Sequence, residues 1–244
     1  GIFIKHAIEN GCTKIYIGIG GSATNDGGLG AMIALGYRFL DSEGNELSGI
    51  GENLEKIATI DDTFAIKEIS EVETIVMCDV TNTLTGEKGA TYVYGPQKGG
   101  TGEKLEKLEK GMISYRKILE EYLGHSIEKI EGLGAAGGLG AALYGLLNGK
   151  MQSGIDVLLE LNNFEEKLDS TDIVITGEGK TDYQSACGKV IHWIARKCKK
   201  YNVPVLVISG SLGEEINQLY SMGVSGMEAS VCNIISLNNA MDNA

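Results

Sequence analysis

A chain of 244 residues, 43% apolar and 22% charged, is long enough to bury one large α/β domain or two small ones. Its net charge of −12 excludes the basic face that a nucleic acid polymer or an anionic membrane surface requires. Cys12, Cys78, Cys187, Cys198 and Cys232 form no C-x-x-C pair, and His6, His125 and His192 are scattered, which excludes a zinc cluster and points to free thiols in a reducing, cytoplasmic setting.

The elements follow in chain order. Ile2, Phe3, Ala7 and Ile8 stand at helical spacing and predict a helix over 2–10, closed by Gly11. KIYIGIG (14–20) is β-branched and aromatic and predicts a buried strand. The glycine-rich stretch to Gly28 leads into a short helix, LGAMIALG (29–36). YRFLDSEGNEL (37–47) predicts a hairpin turning at Ser42–Asn45, and ETIVMCDV (73–80) a second strand. TGEKLEKLEKGMISYRKILEEYLG (101–124) predicts a long helix whose apolar face carries Leu105, Leu108, Met112, Tyr115, Ile118, Leu119 and Tyr122. GLGAAGGLGAALYGLLNG (132–149) predicts a second glycine loop followed by a helix of small residues. SGIDVLLELNNFEEKL (153–168) predicts one helix, DIVITGEG (172–179) a strand and loop, and 184–200 a helix. VPVLVISGSLG (203–213) predicts another strand and loop, INQLYSMGV (216–224) a short helix, and MEASVCNI (227–234) a weak strand. Strands alternating with helices predict an α/β fold with a largely parallel sheet. No run approaches the roughly 18 apolar residues of a membrane span.

Strands that run into glycine loops recur: IYIGIGGSATNDGG, IVITGEGKTD and LVISGSLG. In parallel α/β sheets ligands sit at the carboxyl ends of strands, where backbone N–H groups and glycine admit an anion closely. Gly20 and Gly21 supply that access, and Ser22, Thr24, Asn25 and Asp26 add hydrogen-bonding groups in the same mouth. A plain turn with a capping residue needs only one or two of these, so a ligand loop is the favoured reading. Asp79, Glu178 and Asp182 each follow a predicted strand and suit Mg²⁺ binding or acceptance of a hydroxyl proton, although a single Asp more often caps a helix. Lys98 in GPQKG and Lys189 in CGKV are candidate phosphate-binding charges; taken singly, each is commonly a solvated lysine.

A dinucleotide fingerprint is the tempting alternative. Gly132, Gly134 and Gly137 match G-x-G-x-x-G, and Gly18, Gly20 and Ala23 match its looser form, with Asp41 downstream. No predicted strand precedes Gly132, a polar stretch separates Gly20 from its helix, and Asp41 falls at the hairpin turn. These gaps weigh against an NAD(P)-dependent oxidoreductase; a non-catalytic ligand-binding domain stays open beside it as an alternative. The P-loop pattern is absent, since Gly188-Lys189 is followed by valine.

Taken together, GIGGSATNDGG (18–28), ALGYRFLDSEGNEL (34–47), CDVTNTLTGEKGATYVYGPQKG (78–99), GLGAAGGLGAAL (132–143), ITGEGKTDYQSACGK (175–189) and VPVLVISGSLG (203–213) resemble the type I glycerate kinases of bacteria. The resemblance implies transfer of a phosphoryl group from ATP to a hydroxyl of D-glycerate, with Mg²⁺. It implies a Rossmann-like parallel-sheet core domain, placed at 1–36 and 150–244, plus a second α/β domain with a mixed sheet at 37–149, and a site between the two. Under it Asp79, Asp182 and Glu178 become the catalytic candidates, the first two also the metal candidates. Gly20, Gly21, Ser22, Thr24, Asn25 and Asp26 become contacts of glycerate or phosphate, with Lys98 and Lys189 neutralising charge. The partners expected are D-glycerate and a nucleotide; a homodimer is left open. This chain departs from the family at Thr83 and Ile191, where proline is usual. It also has no counterpart of the family's opening PDSFKGS-like loop or last helix, which predicts an exposed edge of the core sheet and an incomplete site.

Overall fold

The computed structural model describes residues 1–186 and 190–231, which divide into two compact units, 1–154 and 155–244. Residues 1–36 pack with 37–154 in the first of these units, because the strand at 14–18 pairs with the one at 73–77. Unit 1 opens with α1 (Ile2–Glu9), β1 (Lys14–Gly18), α2 (Leu29–Ala34), β2 (Arg38–Leu40), β3 (Thr59–Asp61) and β4 (Glu73–Met77). It continues with α3 (Ala90–Tyr94), α4 (Gly102–Leu123), α5 (Leu139–Leu146) and β5 (Lys150–Gln152). β1, β4 and β5 form a parallel sheet in that order, with Ile15 opposite Thr74 and Val76 opposite Met151.

The expected buried first strand is an edge strand. Lys14, Tyr16 and Gly18 face solvent while Ile15 and Ile17 pack against the core, so its β-branched run covers only one face. β4 is central and buried at Thr74, Ile75 and Val76. The hairpin turn exists, because Asp41 Oδ1 accepts the amide hydrogens of Glu43 and Asn45, each at 2.9 Å. Its return strand shrinks to one bridge, Leu40 to Glu46, and β2 pairs instead with β3, antiparallel. The mixed topology is therefore split between a parallel and an antiparallel sheet.

α4 is the longest helix described, as its spacing predicts. Met112, Tyr115 and Leu119 are buried and Gly124 ends it in the left-handed conformation. Tyr122, at the edge of the apolar face, is 39% exposed and donates to Asp62 instead.

Next come α6 (Gly154–Leu161), α7 (Phe164–Leu168), β6 (Val174–Thr181), α8 (Val190–Lys200), β7 (Val205–Leu212), α9 (Gln218–Met222) and β8 (Val224–Ala229). The helix expected over 153–168 breaks at Asn162-Asn163, where Asn163 adopts φ 50°. β6, β7 and β8 form a second, wholly parallel sheet in sequential order. One face packs Val205 and Val207 against Ile191, Ala195 and Cys198 of α8. β6 and β7 both run past their glycines, to Thr181 and Leu212, where loops were expected. The weak strand over 227–234 begins earlier, at Val224, and its end lies outside the described residues. No helix among the described residues is long and apolar enough to cross a membrane. Cys12, Cys78 and Cys198 are free thiols; Cys187 and Cys232 lie outside the described residues.

Candidate functional site

The loop from β1 to α2 is held from within and from outside. Asp26 caps α2: its Oδ1 accepts the Gly28 amide hydrogen at 3.0 Å and its Oδ2 that of Gly30 at 3.1 Å. Gly27 and Gly28 are left-handed, and a Cβ on Gly28 would stand 2.6 Å from that of Ala142. The second glycine loop, preceding α5, lies directly against the first. Gly27 N–H donates to Gly137 O at 2.9 Å, and a side chain on Gly137 would overlap the Thr24 carbonyl oxygen. Asn25 Nδ2 donates to Thr91 Oγ1 of α3 at 3.3 Å. Gly20 and Gly21 are different, because a Cβ on either meets no atom within 4 Å.

Lys98, in the turn after α3, reaches back over this loop. Its ammonium donates to Ser22 Oγ at 2.7 Å and to the Thr24 carbonyl at 2.6 Å. Burial lowers its pKa from the usual lysine value, and the more distant Asp26 carboxylate opposes that shift. Around it lies a cavity of about 150 Å³, walled by Gly20, Gly21, Ser22, Tyr94, Gln97 and Lys98, with Ile19, Val80, Ala135 and Ala136 as its apolar side. Ala136 holds a left-handed φ of 54°, a strained conformation for a residue with a Cβ. Tyr94 is fixed by donating to Asn82 Oδ1 at 2.6 Å, while the Asn82 carbonyl accepts from Gly134 N–H at 3.0 Å.

At the end of β4, Asp79 is exposed. Its Oδ1 accepts from Ser153 Oγ at 3.1 Å and from Gly154 N–H at 2.8 Å, where α6 begins. Its Oδ2 has no hydrogen-bond partner among the described residues, so one oxygen remains for a ligand. In unit 2, Glu178 accepts a short hydrogen bond from the buried Ser185 hydroxyl, and that oxygen also accepts from Asp182 N–H at 3.2 Å. Asp182 Oδ2 pairs with Lys180 Nζ at 3.4 Å. Thr181 and Ser209 hydroxyls meet at 2.5 Å between β6 and β7. Among the described residues no group of three or more His, Cys, Asp or Glu is placed to hold a metal ion alone. The open oxygen of Asp79 does fit Mg²⁺ carried by a polyphosphate, which takes one or two protein carboxylates and completes its shell with water and phosphate oxygens. Asp182, engaged by Lys180, fits less well.

Of the residues expected at the site, Gly20, Gly21, Ser22, Thr24 and Lys98 gather at the cavity or its rim. Asn25 and Asp26 stand behind it, tying the loop to α3 and α2. Asp79 marks the end of the neighbouring strand, Glu178 and Asp182 belong to unit 2, and Lys189 lies outside the described residues. Neither fingerprint has its expected frame: no strand precedes Gly132, α2 starts only at Leu29, and Asp41 caps its own turn. Tyr94, Gln97, Asn82 and Ser153 escaped the sequence reading. Tyr94 had a usable signal, being four residues before Lys98 across a Gly-Pro turn.

The glycerate kinase family model matches residues 1–244. A glycerate kinase of Halalkalibacterium halodurans is 42% identical over 99% of this chain and 63% of its own length. A glycerate kinase of Bacillus subtilis is 41% identical over 100% and 64%, and a glycerate 2-kinase of Escherichia coli 38% identical over the same shares. A solved structure from Salmonella typhimurium LT2, provisionally named glycerate kinase 2, superposes with a TM-score of 0.84 at 41% identity, covering 99% of this chain and 63% of that one. The chain thus spans less than two thirds of the length of these relatives.

Proposed function

The chain belongs to the glycerate kinase family, and we propose that the protein transfers the γ-phosphoryl group of ATP to a hydroxyl of D-glycerate, giving a phosphoglycerate. The observation that carries this reading is the family match along the whole chain, with relatives named glycerate kinase at 41% and 42% identity. The geometry supports it: phosphoryl transfer asks for positioning and charge neutralisation more than for covalent chemistry. The loop of unit 1 offers open glycines, hydroxyls and an ammonium around a small cavity.

In this reading Gly20, Gly21, Ser22, Thr24 and Lys98 bind the acceptor or its phosphorylated product. Asn25 and Asp26 keep the loop in shape. Asp79 holds Mg²⁺ through its open oxygen, and the ion, when bound with ATP, neutralises charge on the phosphate oxygens. Glu178 and Asp182 are the candidates for accepting the hydroxyl proton, with Asp182 as a second metal contact. Lys189 neutralises phosphate charge. The free thiols support a reducing, cytoplasmic setting.

ADP release by the full-length protein, with ATP and Mg²⁺ and either D-glycerate, L-glycerate or no acceptor, tests the reaction. Release that depends on D-glycerate is expected; release indifferent to the acceptor would overturn it. Asp182→Asn is expected to lower turnover at least about tenfold with the melting temperature unchanged. Turnover close to wild type would remove Asp182 from the machinery.

A further inference from the structure

We infer that the cavity beside Lys98 is the subsite for the carboxylate end of a three-carbon hydroxy acid, not for the phosphates of a nucleotide. Only the identity of that acid rests on the proposed function.

Size comes first. At about 150 Å³, the cavity has room for a group of a few heavy atoms, such as one end of a small acid. Charge comes second. Among the described residues, Lys98 is the one cationic side chain in its lining. Among the described residues it forms no ion pair. Its two acceptors, Ser22 Oγ and Thr24 O, are neutral. A partly desolvated ammonium that feels Asp26 only at a distance, with no carboxylate in contact, favours uptake of a negative charge. A triphosphate would call for several cations or a metal. Donor geometry comes third. An ammonium carries three N–H groups and two are committed, which leaves one for a ligand. The Gln97 amide and the Ser22 hydroxyl share the lining and can donate to the other carboxylate oxygen or to a hydroxyl. Finally, Gly20 has open space where a side chain would be and no left-handed φ, so neither packing nor backbone strain explains its lack of bulk. A ligand lying against its backbone would.

The rival account is that Lys98 is only a latch fastening the glycine loop. Calorimetric titration of the full-length protein, without nucleotide, separates the two, using D-glycerate and its neutral amide, glyceramide. Wild-type protein is expected to bind the acid at least about tenfold more tightly than the amide, the usual value of a charge-assisted hydrogen bond. Lys98→Met is expected to abolish that preference by weakening the acid alone. A latch would weaken both ligands in parallel, and that result overturns the proposal. So does an acid affinity unchanged in Lys98→Met, a wild type indifferent to charge, or a loss confined to ATP. Should Lys98→Met fail to fold, Ser22→Ala retains the lysine; acid binding about threefold or more weaker supports the subsite, and unchanged binding overturns it. If acid binding depends on Lys98 while D-glycerate evokes no ADP release, the kinase reading falls and the subsite stands.

Discussion

The glycine loop of unit 1 and the strand ends of unit 2 look alike as sequence and differ as structure. IGIGGSATNDGG leaves β1 and becomes a true loop, with Gly21, Gly27 and Gly28 left-handed. TGEGKT and SGSL stay in the ladder, Glu178 opposite Ser209 and Lys180 opposite Ser211. Glycine serves opposite ends in the two. In unit 1 it permits a backbone turn that other residues resist. In unit 2 it permits a close approach: a Cβ on Gly177 would overlap the Ile208 carbonyl oxygen, and one on Gly210 would lie 2.6 Å from Gly179 O. Strand followed by glycine is therefore a signature of two distinct physical needs, a left-handed turn in one unit and a close approach of strands in the other.

Substituting glycines should separate these needs. Gly137→Ala is expected to have the largest effect, about 3 kcal/mol or more, since the new Cβ meets Thr24 O and the residue must hold a positive φ. Gly20→Ala, with open space and no such φ, should change stability by less than about 0.5 kcal/mol while weakening D-glycerate binding. Denaturant midpoints and calorimetry read the pair; equal destabilisation by both would erase the contrast. Asp26→Ala is expected to cost about 1 kcal/mol as a lost helix cap. Hydrogen exchange should then quicken at Gly28 and Gly30, the two amides it now holds.

The smallest effect concerns unit 2, whose helices are clamped by charge. Lys197, Lys200 and Tyr201 hold the Glu165 carboxyl down to about 2. Its folded pKa is lower than the 4.5 of a free glutamate, so its contribution is complete above about 4.5 and disappears as pH falls through about 2. Glu165→Gln should lose a little stability at neutral pH and match wild type near pH 2 in an acid titration of the melting temperature. A difference persisting at pH 2 would mean that packing, not charge, sets the clamp.

Legibility in the sequence followed the range of the forces involved. α4 was readable because its face is set by spacing within one helix. The carboxylates were readable as strand-end residues, but not their tasks. Asp26 turns out to cap α2, and Asp79 engages Ser153 and the amide at the start of α6, contacts that depend on residues 2 and 75 positions away. β1 reads as buried because composition does not tell an edge strand from a central one. The break at Asn163 is a single left-handed residue inside an amphipathic run, a change too local to disturb the period. Lys98 was visible as a charge; its seat against Ser22 was not, because the partners lie 76 residues apart.

That separation bears on how the molecule comes into being. The edge strand β1 finds its partner only when β4 has been made, and Gly27 finds Gly137 later still. Contacts this remote close large loops and form slowly. The glycine loop thus takes its final shape only with the second loop in place, and pairing of the two is expected to come late in the folding of unit 1.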